Sequence, residues 1–410
     1  MFAKTKNSLK RETEANMMIR CASLFSQILS VILDGASFDR LVVKHDSDRG
    51  AKGFTSRMQL VSMLFSHLAR ADSLREIVTG LQLCSGKLLH LGIKSAPRRS
   101  TLAYANIHRD AGLYEDFFWK LLSDFRSRHM LWQEGKKKFR FKNKLYLFDS
   151  TTISLCLSLF PWAQYRQAKG GVKVHVLLEQ NDYMPVFINI TEAKVHDSKM
   201  SGLLKPSRGS IIAMDRGYYD VKLFNAWNSI GVYFVTRIKG NIVYEITDDR
   251  GAPEKTNVLS DHEIMLTGTE AQKEYRGALR LVTVWNAQKQ GEIKLLTNDF
   301  EHGASTIGKI YKERWQIELF FKTVKQTLNV KTFIGTSENA LKIQIWTAMI
   351  SLLVIKWLHY MSSGKLSLSV MSTMLRMNLF TYRLLEEWLK DPNEAPPEDP
   401  YHGQLSLFSC

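Results

Sequence analysis

Cysteine is scarce in this chain, and its positions argue against the kinds of site that depend on it. The 410 residues contain four cysteines, which lie far apart and form neither a CxxC pair nor a Cys/His cluster. This spacing argues against a structural zinc site and is typical of a protein from a reducing cytoplasm. The four residues are Cys21, Cys84, Cys156 and Cys410.

The sequence also lacks a targeting segment and an apolar run long enough to span a bilayer. Its N-terminus, MFAKTKNSLKRETEAN, is charged and has no apolar core, so it is not a signal peptide. The longest apolar stretch, Ile343 to Ile355, is too short for a transmembrane helix and predicts a buried helix. We therefore expect no membrane association and a cytoplasmic location.

Acidic residues are too few to balance the basic ones. Lys and Arg number 56 against 40 Asp and Glu, which gives a formal net charge of +16. Such an excess predicts a polyanionic partner, with nucleic acid first and an acidic membrane surface second. Because the membrane drops out, DNA or RNA remains. The alternative is a protein that is basic without having such a partner.

Helical patterns dominate the first part of the chain, from residue 1 to about 135. Ser56 to Gln59 and Ser73 to Glu76 have the spacing of capping boxes, and Gly80 predicts a helix end. These signals predict an N-terminal domain built from helices.

Two arginines precede another predicted helix of this region. The helix begins at Ser100, and Arg98 and Arg99 lie just before its N-terminus. An amphipathic helix from Tyr114 to Phe125 follows. Because a helix N-terminus suits a phosphate, Arg98 and Arg99 are candidate DNA contacts.

Beyond this region the pattern changes to that of a mixed α/β sheet. Residues 138 to 144 alternate basic and other side chains, which predicts a strand that is either a solvated edge or a DNA contact. Apolar runs flank a hairpin at Glu179 to Tyr183. Short strands from about 240 to 298 predict a β-rich insertion, and a long helix is predicted from about Ser305 to Thr327.

Two aspartates are set into apolar strands of the predicted sheet. Asp149 lies within LYLFDSTTISL, and Asp215 ends the run SIIAMD. A buried carboxylate costs several kcal/mol unless something compensates it, so two such acids suggest a shared cation. For each one alone, the alternative is an aspartate that caps the next helix.

A third acid lies on the long helix within a row of polar residues. At helical spacing this row, beside an apolar stripe, contains Tyr311, Arg314, Glu318, Lys322 and Lys325. The alternative is a solvated face stabilised by the i,i+4 pair of Arg314 and Glu318.

Three carboxylates at strand ends and on a facing helix predict a metal site. They can hold two Mg²⁺ ions, which prefer oxygen ligands, and Mn²⁺ can substitute. Two such ions about 4 Å apart promote in-line displacement at a phosphodiester. Arg314 and Lys325 would then neutralise phosphate, and Tyr311 and Lys322 in the same row are further candidate DNA contacts.

These residues carry a resemblance to a known family. The spacing Tyr311-x2-Arg314-x3-Glu318-x6-Lys325 resembles the YREK signature of bacterial insertion-sequence transposases of the group named after insertion sequence four. FDSTTI around Asp149 and the DRGY that begins at Asp215 resemble the first and second acid motifs of that group. The resemblance runs from about residue 56 to 350.

The resemblance implies a ribonuclease H-like core with Asp149, Asp215 and Glu318 as catalytic metal ligands. It also implies cut-and-paste transposition at terminal inverted repeats, often through a hairpin at the excised end, with a dimer on DNA in the bacterial cytoplasm or nucleoid. Some relatives carry a Trp in the last insertion strand, which EIKLLTN lacks. Trp285, one strand earlier, is either a substitute or an ordinary core or surface aromatic.

The predicted organisation has four parts, and two rival functions stay open. The rivals are a hydrolytic nuclease of the same fold and a catalytically silent DNA-binding protein derived from a transposase. The parts are a helical DNA-binding domain (1–135), a catalytic domain with the insertion at about 240–298 (136–335), a helical C-terminal region (336–390) and a disordered tail (391–410).

Overall fold

A computed structural model describes most of the chain and divides it into two compact units. One, here the helical unit, comprises Met1–Trp132 and Val324–Cys410, and the other, the sheet unit, comprises Gln133–Thr323. The predicted disordered tail lies outside the described residues from 394 onward. The structure describes residues 22–393 except 34–36, 85, 87, 90–92, 132–137, 157, 167–168, 196, 289, 328–333 and 363–365.

The helical unit combines helices from both ends of the chain. The predicted C-terminal helical region therefore packs in one unit with the N-terminal helices. Its helices are α1 (Leu24–Ile32), α2 (Ser37–Lys44), α3 (Ser56–Ala69), α4 (Leu74–Leu83), α5 (Arg99–His108), α6 (Gly112–Ser127), α12 (Glu338–Met361), α13 (Leu368–Asn378) and α14 (Leu385–Lys390).

Helix α12 is the central element of this unit. It has 24 residues and is long and apolar enough to cross a membrane, but 89% of its most apolar window is buried. It packs against α3, α5, α6 and α13. The predicted buried helix is confirmed. The prediction that this segment is too short to span a bilayer is wrong, because the helix extends beyond the apolar stretch on both sides. Its burial marks it as a core helix.

Two of the predicted helix signals have other causes. Thr55, not Ser56, caps α3, and its hydroxyl accepts from the Met58 amide at 3.3 Å. Gly80 does not end α4, which continues to Leu83. A Cβ at Gly80 would lie 2.5 Å from the Phe65 ring, so the glycine permits close helix packing. The capping box that begins at Ser73 is confirmed, since its hydroxyl accepts from the Glu76 amide.

The sheet unit contains the strands and the remaining helices. The four strands predicted between about 240 and 298 are confirmed. Its strands are β1 (Leu145–Leu155), β2 (Gln164–Arg166), β3 (Lys169–Glu179), β4 (Met184–Glu192), β5 (Ile211–Met214), β6 (Tyr233–Arg237), β7 (Tyr244–Asp249), β8 (Val258–Leu266), β9 (Leu279–Asn286) and β10 (Gly291–Thr297). Its helices are α7 (Asp197–Ser201), α8 (Val221–Ser229), α9 (Thr269–Glu274), α10 (Ala304–Glu313) and α11 (Trp315–Thr327), the last of which runs into the helical unit.

Among the described residues these ten strands form a single mixed sheet. Its order is β3-β1-β5-β6-β10-β9-β8-β7, with β2 and β4 both paired to β3. β1, β3 and β4 are antiparallel, whereas β5 runs parallel to β1 and β6 parallel to β5. Because β10 pairs with β6, the predicted insertion extends the same sheet rather than forming a separate one.

Helices cover both faces of this sheet. On one face, Phe224 and Trp227 of α8 join a buried cluster with Phe148 and Phe234. Since side chains alternate along a strand, residues next to Phe148 point to the opposite face. Helix α10 crosses that opposite face, where a Cβ at Gly308 would lie 3.2 Å from Val284.

The predicted basic strand at residues 138–144 is wrong. These residues form bends without a strand partner, and regular structure begins at Leu145. Exposure does alternate along the segment, as a strand would require. The cause is aromatic packing, since Phe139 stacks on Phe141, which contacts His302.

The predicted long helix consists of two helices that meet at Arg314. The Arg314 amide bonds the Tyr311 carbonyl, and the Ile317 amide bonds the Arg314 carbonyl, at 3.2 and 3.1 Å. Both bonds span three residues, so the chain tightens locally at this point.

Candidate active site

The parallel pairing of β1 and β5 sets the two predicted aspartates at one level. Phe148 lies opposite Met214 in the register, and the next residue of each strand is Asp149 and Asp215. β5 ends there, and the Asp215 carboxylate accepts from the Gly217 amide at 3.4 Å. Asp215 therefore caps the helical turn that follows it, as the alternative predicts. The capping hydrogen bond is long, and the Asp215 residue is half-buried.

Arg314 connects the first aspartate to the third acid. Its Nη1 donates to Asp149 Oδ2 at 2.8 Å, and its Nη2 donates to Glu318 Oε1 at 2.7 Å. The Arg314 and Asp149 side chains are 14% and 18% exposed, while Glu318 is 36% exposed. The predicted i,i+4 pair is thus present, but it is one half of a bridge to the sheet rather than part of a solvated face.

Tyr311 completes the environment of the guanidinium. The Arg314 Cζ lies 5.6 Å from the centre of the Tyr311 ring, within the range of a cation–π contact. Burial raises the pKa of Tyr311 above its ordinary value, so its hydroxyl stays protonated. Arg314 Nε is buried and has no hydrogen-bond partner in the structure.

The electrostatics of Asp149 are those of a carboxylate held near other acids. Burial, the largest cause, raises its pKa from 3.8 to about 6. Arg314 and the Ser150 amide oppose this rise, whereas the charges of Asp215 and Glu318 add to it. The charges of Asp215 and Glu318 therefore act on Asp149, which agrees with the level of Asp215 beside β1 and with the bridge through Arg314 to Glu318.

The raised pKa predicts that Asp149 reduces the stability of the fold at alkaline pH. The pKa of Asp149 is higher in the folded than in the unfolded protein. Its contribution to the free energy of unfolding is therefore most favourable below about pH 4 and is lost as the pH rises through about 6. We expect Asp149→Asn to stabilise the protein at pH 8 by on the order of 2 to 3 kcal/mol, with the gain shrinking at lower pH. Thermal unfolding in EDTA at pH 8 and pH 5 measures this.

An exposed aspartate on β7 provides the control for this measurement. Asp248→Asn removes the same charge from the surface and should change stability by less than about 0.5 kcal/mol at either pH. A destabilising Asp149→Asn at pH 8 would show that the pairing with Arg314 outweighs burial.

The donor set of the site suits a hard divalent cation. All three acids offer carboxylate oxygens, the ligands that Mg²⁺ prefers. Within the described residues, no three His, Cys, Asp or Glu side chains lie close enough to hold an ion together. The Arg314 guanidinium pairs with both Asp149 and Glu318, so it occupies carboxylate oxygens that an ion would need. The chemistry of the acids therefore fits the cation, provided that the guanidinium moves aside.

Sequence reasoning missed the residues that fix the junction of α10 and α11. Glu313 is 4% exposed, and it accepts from the Tyr183 hydroxyl and pairs with Lys138, both at 2.5 Å. Tyr183 lies in the β3–β4 hairpin, where its φ is 49°. Glu313 lies directly before Arg314, so its bonds to Tyr183 and Lys138 hold the start of α11 in place. The pairing of a glutamate with a tyrosine 130 residues away leaves no local sequence signal.

Of the other predicted DNA contacts, Lys322 lies in the sheet unit and the remaining three lie in the helical unit. Lys322 is exposed on α11, and Lys325 follows on the same helix as a half-buried residue of the helical unit. Arg98 and Arg99 are exposed at the start of α5 in the helical unit.

His175 on β3 and Trp285 on β9 differ in their exposure to solvent. His175 is fully buried, and its Nε2 is 3.2 Å from the Thr191 hydroxyl. Trp285 is a surface aromatic on β9, 43% exposed.

Comparison with known proteins gives the chain two family matches. Residues 140–354 match the family described as "Transposase DDE domain". Residues 20–94 match a "Domain of unknown function (DUF4372)".

Three named bacterial relatives are similar to this chain. It is 28% identical over 257 residues to a transposase named for insertion sequence element IS5377 of Geobacillus stearothermophilus, covering 62% of this chain and 67% of the relative. It is 30% identical over 260 residues to transposase y4zB of Sinorhizobium fredii (62% and 70%). It is 27% identical over 264 residues to a transposase named for element IS4SA of Synechocystis (63% and 71%).

A basic chain with a mixed sheet and acids meeting at adjacent strand ends has the architecture of an enzyme that acts on nucleic acid. The family match covers more than half of the chain and contains all three acids. The chain belongs to the DDE transposase domain family, and it is a transposase whose partner is DNA.

Proposed function

We propose that this enzyme excises and inserts its own insertion sequence by cut and paste at terminal inverted repeats. The proposal rests on the strand register that brings Asp149 and Asp215 to one level and on Arg314, which bonds to both Asp149 and Glu318. Water attacks the phosphorus at the element end, and the 3′-oxygen leaves as a hydroxyl. That 3′-hydroxyl then attacks a phosphodiester of the target DNA. Both steps are in-line displacements, so one site serves both.

We assign the core to the ribonuclease H-like fold. The support is the order of its strands: three antiparallel strands, β4-β3-β1, followed by β5 and β6 parallel to β1. Asp149 lies on the first strand in the sequence, and Asp215 follows β5 at the same level. β7–β10 then lie between β6 and α10 as the insertion.

Each residue of the site has a separate role in this proposal. Asp149, Asp215 and Glu318 would hold two Mg²⁺ ions, which polarise the attacking and leaving oxygens. Arg314 would pass from the carboxylates to a phosphate, which its planar fork matches, and its unpartnered Nε is one more donor for that phosphate. Tyr311 packs on the guanidinium and orients it.

The lysines of α11 would bind the DNA near the cut, and the helical unit would bind the end of the element. Lys322 and Lys325 contribute point charges that neutralise phosphate. The predicted end-recognition domain, residues 1–135, contributes Arg98 and Arg99. Two DNA ends must be joined, so we propose a homodimer in the synaptic complex, acting in the bacterial cytoplasm or nucleoid.

We place the enzyme in the group named after insertion sequence four. The YREK spacing supports this, and the relative from Synechocystis carries the name of element IS4SA. A hydrolytic nuclease is the weaker alternative, because simple hydrolysis does not need Tyr311, Arg314 and Lys325 around the glutamate. A catalytically silent descendant is weaker still, since all three acids are present.

Metal-dependent cleavage of the element's own ends tests this function. The full-length protein should cut DNA that carries the flanking inverted repeats in Mg²⁺ or Mn²⁺, and much less in Ca²⁺. Ca²⁺ takes longer and looser oxygen coordination, which misplaces the reacting oxygens. The cuts are mapped by sequencing gels, and joining to a target plasmid reports strand transfer.

The DNA control is a fragment of equal length with a scrambled repeat. Cutting without strand transfer and without preference for the repeats would favour the nuclease. Equal activity in EDTA would contradict any metal-holding role of the acids.

A further inference from the structure

Helix α5 of the helical unit presents an exposed stripe. Ser100, Tyr104, Ile107 and His108 recur at helical spacing and are exposed. Tyr104 is 66% and Ile107 48% exposed, and the Tyr104 and His108 rings lie 4.2 Å apart. Tyr104 and Ile107 therefore present apolar surface to solvent on one face of α5.

Positive charge lies at the start of this stripe. Arg98 and Arg99 are both exposed, and the first turn of α5 contains no acidic residue. Arg98 is the N-cap, but its side chain makes no capping bond to the helix. The nearest following acid, Asp110, forms a hydrogen bond to His45 at 2.8 Å. The face is therefore complementary to a polyanion.

The opposite side of α5 is held rigidly by buried polar bonds. Asn106 is 2% exposed, and its side-chain oxygen accepts from Gln59 at 2.8 Å. Gln59 in turn accepts from Arg109 at 3.0 Å, which explains how a polar side chain can be buried on α3. Leu102 and Ala105 bury the apolar side of the helix.

The C-terminal end of α5 is fixed by a single side chain of α12. The side-chain nitrogen Nδ2 of Asn339 donates to the backbone carbonyl oxygens of Asn106, Ile107 and Arg109, at 3.1, 3.2 and 2.6 Å. Its side-chain oxygen accepts from the Ala111 amide. This bonding occupies carbonyls that a helix end leaves open. Such a network fixes the direction of α5, as a recognition element requires.

We propose that the exposed face of α5 docks in the major groove of the element's terminal DNA. An α-helix fits that groove, where apolar side chains contact thymine methyl groups. Arg98 and Arg99 bind phosphate and set the register. Tyr104 and Ile107 contact base edges and supply the preference for the end sequence. This assignment rests on the proposed function and names the surface by which the end is recognised.

Two double variants separate the phosphate contacts from the base contacts. Binding of full-length protein in EDTA is measured by fluorescence anisotropy at several salt concentrations, with an end fragment and a scrambled fragment. Arg98→Ala with Arg99→Ala should weaken both complexes about 10-fold or more and lower the salt slope by about two. Tyr104→Ala with Ile107→Ser should reduce the preference for the end about 10-fold and leave the salt slope unchanged.

Matched controls lie on α4 of the same unit. Arg75 and Leu83 are both exposed there, and Arg75→Ala with Leu83→Ser should change neither affinity nor preference. If both α5 variants bind like the parent while the parent prefers the end, the proposal is overturned and the transposase function stands. If the Tyr104 and Ile107 variant weakens both fragments equally, base reading by this face is refuted. A parent without end preference would contradict end recognition and this proposal together.

Discussion

Alanine at Asp149, Asp215 or Glu318 is expected to lower strand cleavage by at least about 1,000-fold and to leave DNA binding intact. Each carboxylate would hold a cation needed for the displacement, whereas affinity for DNA comes mainly from phosphate neutralisation by Lys and Arg. Single-turnover cleavage of an end fragment in Mg²⁺ and anisotropy in EDTA measure the two properties separately.

Asp220 provides a control that addresses the capping alternative. It follows the same strand end as Asp215 and caps α8 with bonds to the Lys222 and Leu223 amides at 3.0 and 3.3 Å. Asp220→Ala should cost about 1 kcal/mol of stability and retain cleavage. If Asp215→Ala behaves like Asp220→Ala, Asp215 is a cap and the assignment of three ligands fails.

The acids were predictable because their strands carry a local signal. A carboxylate within a run such as LYLF or SIIAM stands out from its neighbours, since burial penalises charge. The strands that carry the acids, and those between 240 and 298, were predictable from their apolar patterns. What the sequence could not provide is the register that sets Phe148 opposite Met214, because strand pairing depends on contacts distant in the chain.

The failures have physical causes of the same kind. Residues 138–144 alternate in exposure but have no partner strand, and alternation alone does not create one. The helix break at Arg314 depends on Glu313, whose partners Tyr183 and Lys138 come from distant segments. Gly80 predicts a helix end by its residue type, although its role is set by the Phe65 ring on another helix. In each case tertiary packing overrides a local propensity.

Arg314→Ala is expected to raise the affinity of the free protein for Mn²⁺ about 10-fold or more while lowering cleavage of the end. In this structure the guanidinium pairs with Asp149 and Glu318, so it competes with a metal for the same oxygens. Its removal leaves two carboxylates without a counter-ion, which favours a divalent cation. Cleavage should fall about 100-fold or more, since a charge-stabilising donor at the phosphate is lost.

The binding measurement is made without DNA at pH 8, above the Asp149 pKa of about 6, by electron paramagnetic resonance of free Mn²⁺. Arg314→Lys should give an intermediate affinity and impaired cleavage, because a point charge does not replace a bidentate fork. Lys322→Ala removes an exposed cation from the same helix and should leave Mn²⁺ affinity unchanged. If Arg314→Ala instead weakens Mn²⁺ binding and loses stability to the same extent as Glu318→Ala, the bridge is a structural ion pair, and the guanidinium does not exchange with a metal.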